Sequence, residues 1–390
     1  MKIKAYKRPD GSFGIRNKVL IISTVGCANE TAKKIAQRLP SATLIPNSKG
    51  CGQLIYSADI MKRTLTGLIL NPNVYGAMII GLGCETIQPH DLFKIVKKQT
   101  DKPLKVLVIQ EEGGTTKTIQ KGVNIISKMI KDMNKLKREP TDISSLILAT
   151  NCGGSDATSG LSANPVVGEC SNRLIAENGS VIFGETTELI GTEYILGQRA
   201  KNNTVKNNIV KIIEGLENKL KNIGVDIRGA NPSPGNIRGG LSTLEEKSLG
   251  GISKGGNNII NEVVPYGVKP KEKGLILMDT PGYDIESVTG MTAGGAQLCL
   301  FTTGRGTPIG NPIIPVIKIT GNIKTYENMR DNIDINVSEI LNGSTTFKEC
   351  SDNLFNKIID VCNGELTKSE IYNFHEISIY HNYEIWCTCI

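Results

Sequence analysis

The sequence predicts an α/β fold: a doubly wound, mostly parallel sheet domain, Rossmann-like, over residues 1–138, then a larger glycine-rich α/β domain over residues 139–390. Three observations carry this. Short apolar runs alternate with longer amphipathic ones; the apolar runs are continuous, as in strands buried on both faces; and the loops between them are short and rich in glycine.

Residues 18–25 (KVLIISTV) read as the first buried strand, and Gly26-Cys27-Ala28-Asn29 leads into an amphipathic helix over 30–39. A short strand over 42–45 stops at Pro46, and Lys49-Gly50-Cys51-Gly52-Gln53 precedes a helix over 57–70. The unit repeats with a strand over 76–82, Gly83-Cys84-Glu85, and a helix over 89–98. It repeats again with a strand over 104–109, Glu111-Glu112-Gly113-Gly114-Thr115, and a long helix to about residue 137. In such sheets ligands bind outside the carboxyl ends of the strands. Cys27, Cys51, Cys84, Glu85, Glu111 and Glu112 are therefore expected to share one rim, and cysteine at three equivalent places is more than a turn requires.

Residues 135–142 (KLKREPTD) are polar, contain Pro140 and read as a linker. The second domain opens with a strand over 145–150 and the turn Asn151-Cys152-Gly153-Gly154-Ser155-Asp156, and a helix runs from Ser162 to about Glu177. A strand over 180–183 is followed by Glu185, Glu188 and Glu193, then by a long basic amphipathic helix over 202–222. Two prolines and three glycines in 231–240 (NPSPGNIRGG) argue against regular structure there. Residues 241–256 bring Glu245, Glu246, Lys247 and Lys254 close together in sequence. The working centre is expected in residues 278–310, where glycine-rich turns set Asp279, Asp284, Glu286 and Arg305 among threonines between strands over 275–278 and 297–301. The tail ends in Trp386-Cys387-Thr388-Cys389, too short and isolated to be a zinc site.

Composition excludes several classes. The balance of 45 basic against 38 acidic residues gives +7, but the lysines lie on helix faces and aromatics are 5%, so no platform for nucleic acid is present. No run approaches the roughly 18 apolar residues of a membrane span, and the polar N-terminus is no secretory signal, so a cytoplasmic location is the default. The ten cysteines are expected as thiols, with Cys170, Cys299, Cys350 and Cys362 filling the core. G-x-G-x-x-G is absent after the first strand, which weakens a nucleotide role.

Motifs along nearly the whole chain are distinctive: RPDGSFGIRN, TVGCANET, GCGQL, GLGCE, NCGGSDATSGLSANPVVG, NPSPGN, GGLSTLEEKSLG, MDTPGYDIESVTG and FTTGRGTPIG. In these the chain resembles the altronate and galactarate dehydratase family, whose main chain also occurs as the large subunit of sulfolactate sulfo-lyase. The resemblance implies a hydro-lyase: metal-assisted β-elimination of water from a sugar acid to a 2-keto-3-deoxy acid. The alternative is release of sulfite from sulfolactate, and the second alternative is a non-catalytic protein binding a small molecule. The RPDG motif begins at Arg8, so the family's small N-terminal domain is expected on a separate small subunit, in an oligomer.

Such chemistry needs a base, a grip on the carboxylate and stabilisation of an enediolate. Lys247 is the preferred base with Glu246 as its partner, while Asp156 and Asp284 remain open. Arg16 or Arg305 is expected to clamp the carboxylate, with Asn151, Ser155 and Thr303 binding substrate. The resemblance implies Fe2+ or another divalent metal such as Mn2+. Histidine is scarce, at His90, His375 and His381, so Cys51, Cys84 and Cys152 are the candidate ligands; no C-x-x-C spacing supports an iron–sulfur cluster.

Overall fold

The structure is a computed structural model that describes residues 1–381, so Cys387 and Cys389 lie outside the described residues. The first part contributes β1 (Lys2–Lys7), β2 (Phe13–Gly14), β3 (Lys18–Ser23), β4 (Ala42–Ile45), β5 (Val74–Gly81), β6 (Leu104–Val108) and β7 (Glu139–Asp142). The rest contributes β8 (Ile147–Cys152), β9 (Ser180–Phe183), β10 (Ile260–Val264), β11 (Gly274–Met278), β12 (Leu298–Thr302), β13 (Val316–Thr320) and β14 (Ile335–Asn336).

The first sheet is parallel in the order β4-β3-β5-β6. Alternate residues divide its strands between two faces. Val19, Ile21, Met78 and Ile80 pack with helices Asn29–Ala36 and Thr115–Met133, whereas Leu20, Ile22, Ala77 and Ile79 pack with Ile55–Leu70 and Pro89–Lys97. Helices on both faces make it the doubly wound sheet that the continuous apolar strands imply.

The second sheet is parallel throughout, in the order β10-β11-β9-β8-β12-β13-β14. The chain leaves β8 to one side for β9 and returns to its other side with β12, which puts a topological switch point at the carboxyl end of β8. The two sheets share one core through helices Ile55–Leu70 and Asp284–Ala293. Those helices cross so closely that a Cβ on Gly67 would collide with the carbonyl of Ala293.

Two expectations are corrected here. Residues 135–142 are not a free linker: β7 pairs antiparallel with β1, from Lys2 opposite Asp142 to Ala5 opposite Glu139. Pro140 is tolerated because β7 is an edge strand that needs no further N–H donor. Residues 231–240 do contain a helix, Pro234–Arg238, which Ser233 starts through a reciprocal capping box with Asn236. Cys170, Cys299, Cys350 and Cys362 are buried free thiols. Among the described residues no helix is long and apolar enough to cross a membrane.

Candidate functional site

The carboxyl ends of β8, β9 and β11 gather buried charge. After β9 the chain turns through Gly184 into Glu185, whose φ of 70° is left-handed, a conformation that costs a side-chain-bearing residue. Hydrogen bonds hold the turn: Glu185 N donates to Thr280 Oγ1 at 2.6 Å, and Glu188 N to the Glu185 carbonyl at 2.7 Å. The fully buried Glu185 carboxylate pairs with the fully buried Lys254 ammonium and accepts from Cys152 N at 3.1 Å. Loss of hydration lifts the Glu185 carboxyl, with Lys254 opposing it. Burial works against the Lys254 charge, but Glu185, Cys152 and Glu188 together outweigh it and raise its pKa.

The turn sets Glu188 against Lys247 on helix Leu244–Ile252, Oε1 to Nζ, at 2.9 Å. Lys247 also donates to Asn231 Oδ1 at 3.0 Å and Asn236 Oδ1 at 3.3 Å. Burial works against the Lys247 charge, but Glu188, with Cys152 and Glu185, outweighs it and raises its pKa above the ordinary lysine value. Lys247 lines two cavities at once, one of about 260 Å³ with Ser155 and Asp156, the other of about 380 Å³ with Glu188, Asn231 and Tyr283.

Asp284 begins helix Asp284–Ala293, and its Oδ1 accepts from Asn151 Nδ2 at 2.9 Å. Burial pushes its carboxyl up to about 6 and the Glu188 charge adds to this, while Asn151, Lys247 and Lys254 hold it back. Gly153 makes room for this carboxylate: a Cβ there would stand 2.5 Å from Asp284 Oδ2. The next residue, Gly154, has a φ of 59°, and a Cβ there would lie 3.3 Å from Arg305 Cβ and 3.4 Å from Thr303 Oγ1 without colliding. The glycine pair thus lies between Asp284 and Arg305.

Other expected residues stand around this centre. Cys152 Sγ and Ser155 Oγ are 2.9 Å apart, and burial pushes the thiol up to about 11, too high for a nucleophile at neutral pH. Thr303 Oγ1 accepts from Gly306 N at 2.9 Å and so shapes the turn that carries Arg305. Arg305 is exposed and has no ion-pair partner among the described residues.

Three expectations need correction. Arg16 is no carboxylate clamp, because its guanidinium is spent on Glu370, both oxygens at 2.7 Å, and on the carbonyls of Ile15, Val361 and Glu365. Glu246 is not the partner of Lys247: it accepts from Ser242 N and Oγ at its helix start, and Glu188 takes the lysine instead. Asp156 is saturated, accepting from Thr158 Oγ1, Ser159 N and Ser159 Oγ on one oxygen and Asn322 Nδ2 on the other.

The thiolate ligand set does not fit a metal. Cys51 and Cys84 are exposed on the first sheet's loops, Cys152 is buried in the second, and no three His, Cys, Asp or Glu side chains are gathered to hold an ion among the described residues. On the first rim Glu85 closes on its own loop, accepting from Thr24 Oγ1 at 2.6 Å, Leu82 N at 3.0 Å and Gly83 N at 2.6 Å.

Sequence reasoning did not put Glu185, Glu188 or Lys254 in the site. An acid just past the end of β9 was the available signal for Glu185; Lys254 has none, since a lysine closing a polar helix reads as solvated.

A carboxyl lifted toward neutrality beside lysine ammonium groups, at the switch point of a parallel sheet, is suited to taking a proton from carbon while a group leaves its neighbour, the work of a lyase. Residues 143–385 match the model of the D-galactarate/altronate dehydratase C-terminal domain, and residues 5–134 that of the D-galactarate dehydratase/altronate hydrolase second domain. The chain belongs to the D-galactarate/altronate dehydratase family, whose chemistry is that of carbon–oxygen lyases. It is 35% identical to altronate dehydratase of Bacillus subtilis, over 97% of this chain and 77% of the relative. It is 35% identical to the beta subunit of (2R)-sulfolactate sulfo-lyase of Chromohalobacter salexigens, over 86% of each chain. Galactarate dehydratase (L-threo-forming) of Escherichia coli is also 35% identical, over 87% of this chain and 68% of the relative.

Proposed function

We propose that this chain removes water from a sugar acid such as altronate or galactarate, with Asp284 as base and Lys247 as acid. The observation that carries the reading is the Asp284 carboxyl, lifted to about 6 by burial and fixed by Asn151, in a chain of this family. A base whose charge changes near neutral pH suits proton abstraction from carbon. Asp284 takes the proton from the carbon beside the substrate carboxylate. The electron pair of that C–H bond becomes the new carbon–carbon double bond as the hydroxyl leaves the next carbon. Lys247 gives the departing hydroxyl a proton, so water leaves, and the enol relaxes to the 2-oxo acid. Glu188 holds the ammonium in place at 2.9 Å. Arg305 pairs with the substrate carboxylate, which takes up part of the negative charge as the neighbouring C–H bond breaks, and Asn151, Ser155 and Thr303 bind the hydroxyls. Lys247 is thereby the acid rather than the base that the sequence favoured.

Release of sulfite from sulfolactate is the second reading, supported by the sulfo-lyase relative's equal coverage of both chains. Sulfite leaves without needing a proton, so that reaction leans less on Lys247. The name of that relative, a subunit, supports a multi-subunit enzyme acting on a small molecule, and a separate small subunit is part of the proposal. Dependence on Fe2+ or Mn2+ is part of it too; such an ion would need ligands other than the set Cys51, Cys84 and Cys152.

The test is to incubate the purified chain, with and without a candidate small partner, with altronate, galactarate and sulfolactate. Formation of 2-oxo acid and of sulfite is followed separately. Water elimination from a sugar acid, abolished by Asp284→Asn, is expected; no 2-oxo acid from any substrate under either condition would overturn the reading.

A further inference from the structure

Beside the crossing of helices Ile55–Leu70 and Asp284–Ala293 lies a cavity of about 370 Å³, lined by none of the residues assigned to the reaction. That volume falls in the ordinary range for small-ligand sites, about 300–1,000 Å³. Leu70, Ile95, Ile147, Val268 and Ala293 give it apolar walls. Lys62, Arg63 and Lys269 are among its lining residues, and no Asp or Glu is. Thr66, on the same helix face as Lys62 and Leu70, is 8% exposed, and its Oγ1 has no hydrogen-bond partner.

We propose that this cavity binds a small organic anion with an apolar body, a carboxylate or sulfonate on a ring or short chain, and that its occupancy is felt at Asp284. The apolar walls take the body of such a ligand out of water. Lys62 is already paired with Asp59 at 2.6 Å, so Arg63 and Lys269 are the cations that select the negative head.

The connection to the reaction is physical. Helix Asp284–Ala293 starts with the base and ends in the cavity wall. Arg63 Nε donates to the Tyr266 carbonyl at 2.6 Å, and the Tyr266 hydroxyl donates to the Glu286 carbonyl at 2.8 Å, in the first turn of that helix. The Tyr266 ring lies so close to Gly290 that a Cβ there would collide with it. A ligand that draws on Arg63 therefore pulls on the helix that aims Asp284.

The probe is 8-anilinonaphthalene-1-sulfonate, titrated by calorimetry and fluorescence against the folded full chain. One site per chain is expected, at least about tenfold weaker in Lys269→Glu and lost in Val268→Trp, which fills the cavity. Circular dichroism and the unfolding midpoint report whether each variant is folded, and Lys269→Glu, a change at an exposed residue, decides if Val268→Trp is not. No binding to the wild-type chain, or binding indifferent to both variants, overturns the site. Coupling is read as an about fivefold change in kcat/KM near pH 6 on saturation with the probe, absent in Val268→Trp. That second arm rests on the lyase reading and the binding arm does not, so an inactive chain that still binds the probe retains the site, whereas binding with unchanged kinetics removes its influence on Asp284.

Discussion

The two parallel sheets end in the same kind of rim, a strand followed by a glycine turn bearing a cysteine and an acid, yet only one rim concentrates charge. On the first, Glu85 is buried but answered entirely by its own surroundings, the hydroxyl of Thr24 and the amides of Leu82 and Gly83. On the second, buried acids and lysines answer one another: Glu185 with Lys254, Glu188 with Lys247, and Asp284 with only an amide. Removing one partner of a buried pair is costly and the pair itself adds little stability, so its presence asks for a functional reason. The lesson is that a turn motif locates a rim, while unbalanced buried charge locates chemistry.

The largest break in this contrast is expected from Asp284→Asn. Loss of a general base lowers kcat by about 10²- to 10⁴-fold, measured as 2-oxo acid formation. In the wild type kcat should rise with pH through about 6, the value to which burial lifts this carboxyl. The same shift sets the sign of its effect on stability. A carboxyl raised above its ordinary value opposes folding once ionised, so Asp284→Asn should raise the unfolding midpoint at pH 8 and leave it unchanged below pH 4. Equal midpoints at pH 8 would show that the carboxylate is not held against its preference.

Lys247→Met comes next, with an expected fall of about 10²-fold in water elimination and partial recovery in Lys247→Arg. Run on sulfolactate, the same variant separates the two lyase readings, because sulfite departs unprotonated and should be lost less. Arg305→Lys keeps the charge but not the planar fork, and should lower kcat/KM at least about tenfold. Unchanged kinetics there would remove the clamp. On the first rim, Glu85→Gln should cost about 1–3 kcal/mol in denaturant unfolding, since an amide nitrogen must face one of the N–H or O–H donors that the carboxylate accepts, and leave kcat alone.

What the sequence disclosed follows from distance along the chain. The strands β3, β4 and β9 and the long helix Asn203–Asn222 were legible because periodicity is local. Asp284, Lys247, Asn151 and Arg305 were legible as candidates because they sit in glycine-rich turns or beside them. The misreading of Arg16 has the opposite origin: its partners Val361, Glu365 and Glu370 lie 345 to 354 residues away, so nothing nearby announces that its donors are spent. Lys254 is hidden for a similar reason, since only the crossing of β9 with the turn after helix Leu244–Ile252 puts Glu185 beside it. In sequence β7 reads as a linker because its partner strand is the chain's own beginning.

The smallest effect, and the sharpest test of the contrast, belongs to the first rim's thiols. Backbone bonds tie their loops together, Gly26 N to the Lys49 carbonyl and Thr86 N to the Gly50 carbonyl, each at 2.8 Å. Cys27, Cys51 and Cys84 are nevertheless exposed, and no trio of ligating side chains is assembled among the described residues. An iron site of thiolates needs the sulfurs drawn together around the ion. If activity depends on Fe2+ or Mn2+, the ion's binding should therefore be indifferent to these thiols. Cys51→Ser and Cys84→Ser, singly and together, are expected to leave both kcat and the metal content of the chain purified under nitrogen unchanged, by elemental analysis. A drop in bound iron that tracks the number of serines introduced would move the metal to the first sheet and reverse the assignment of the two rims.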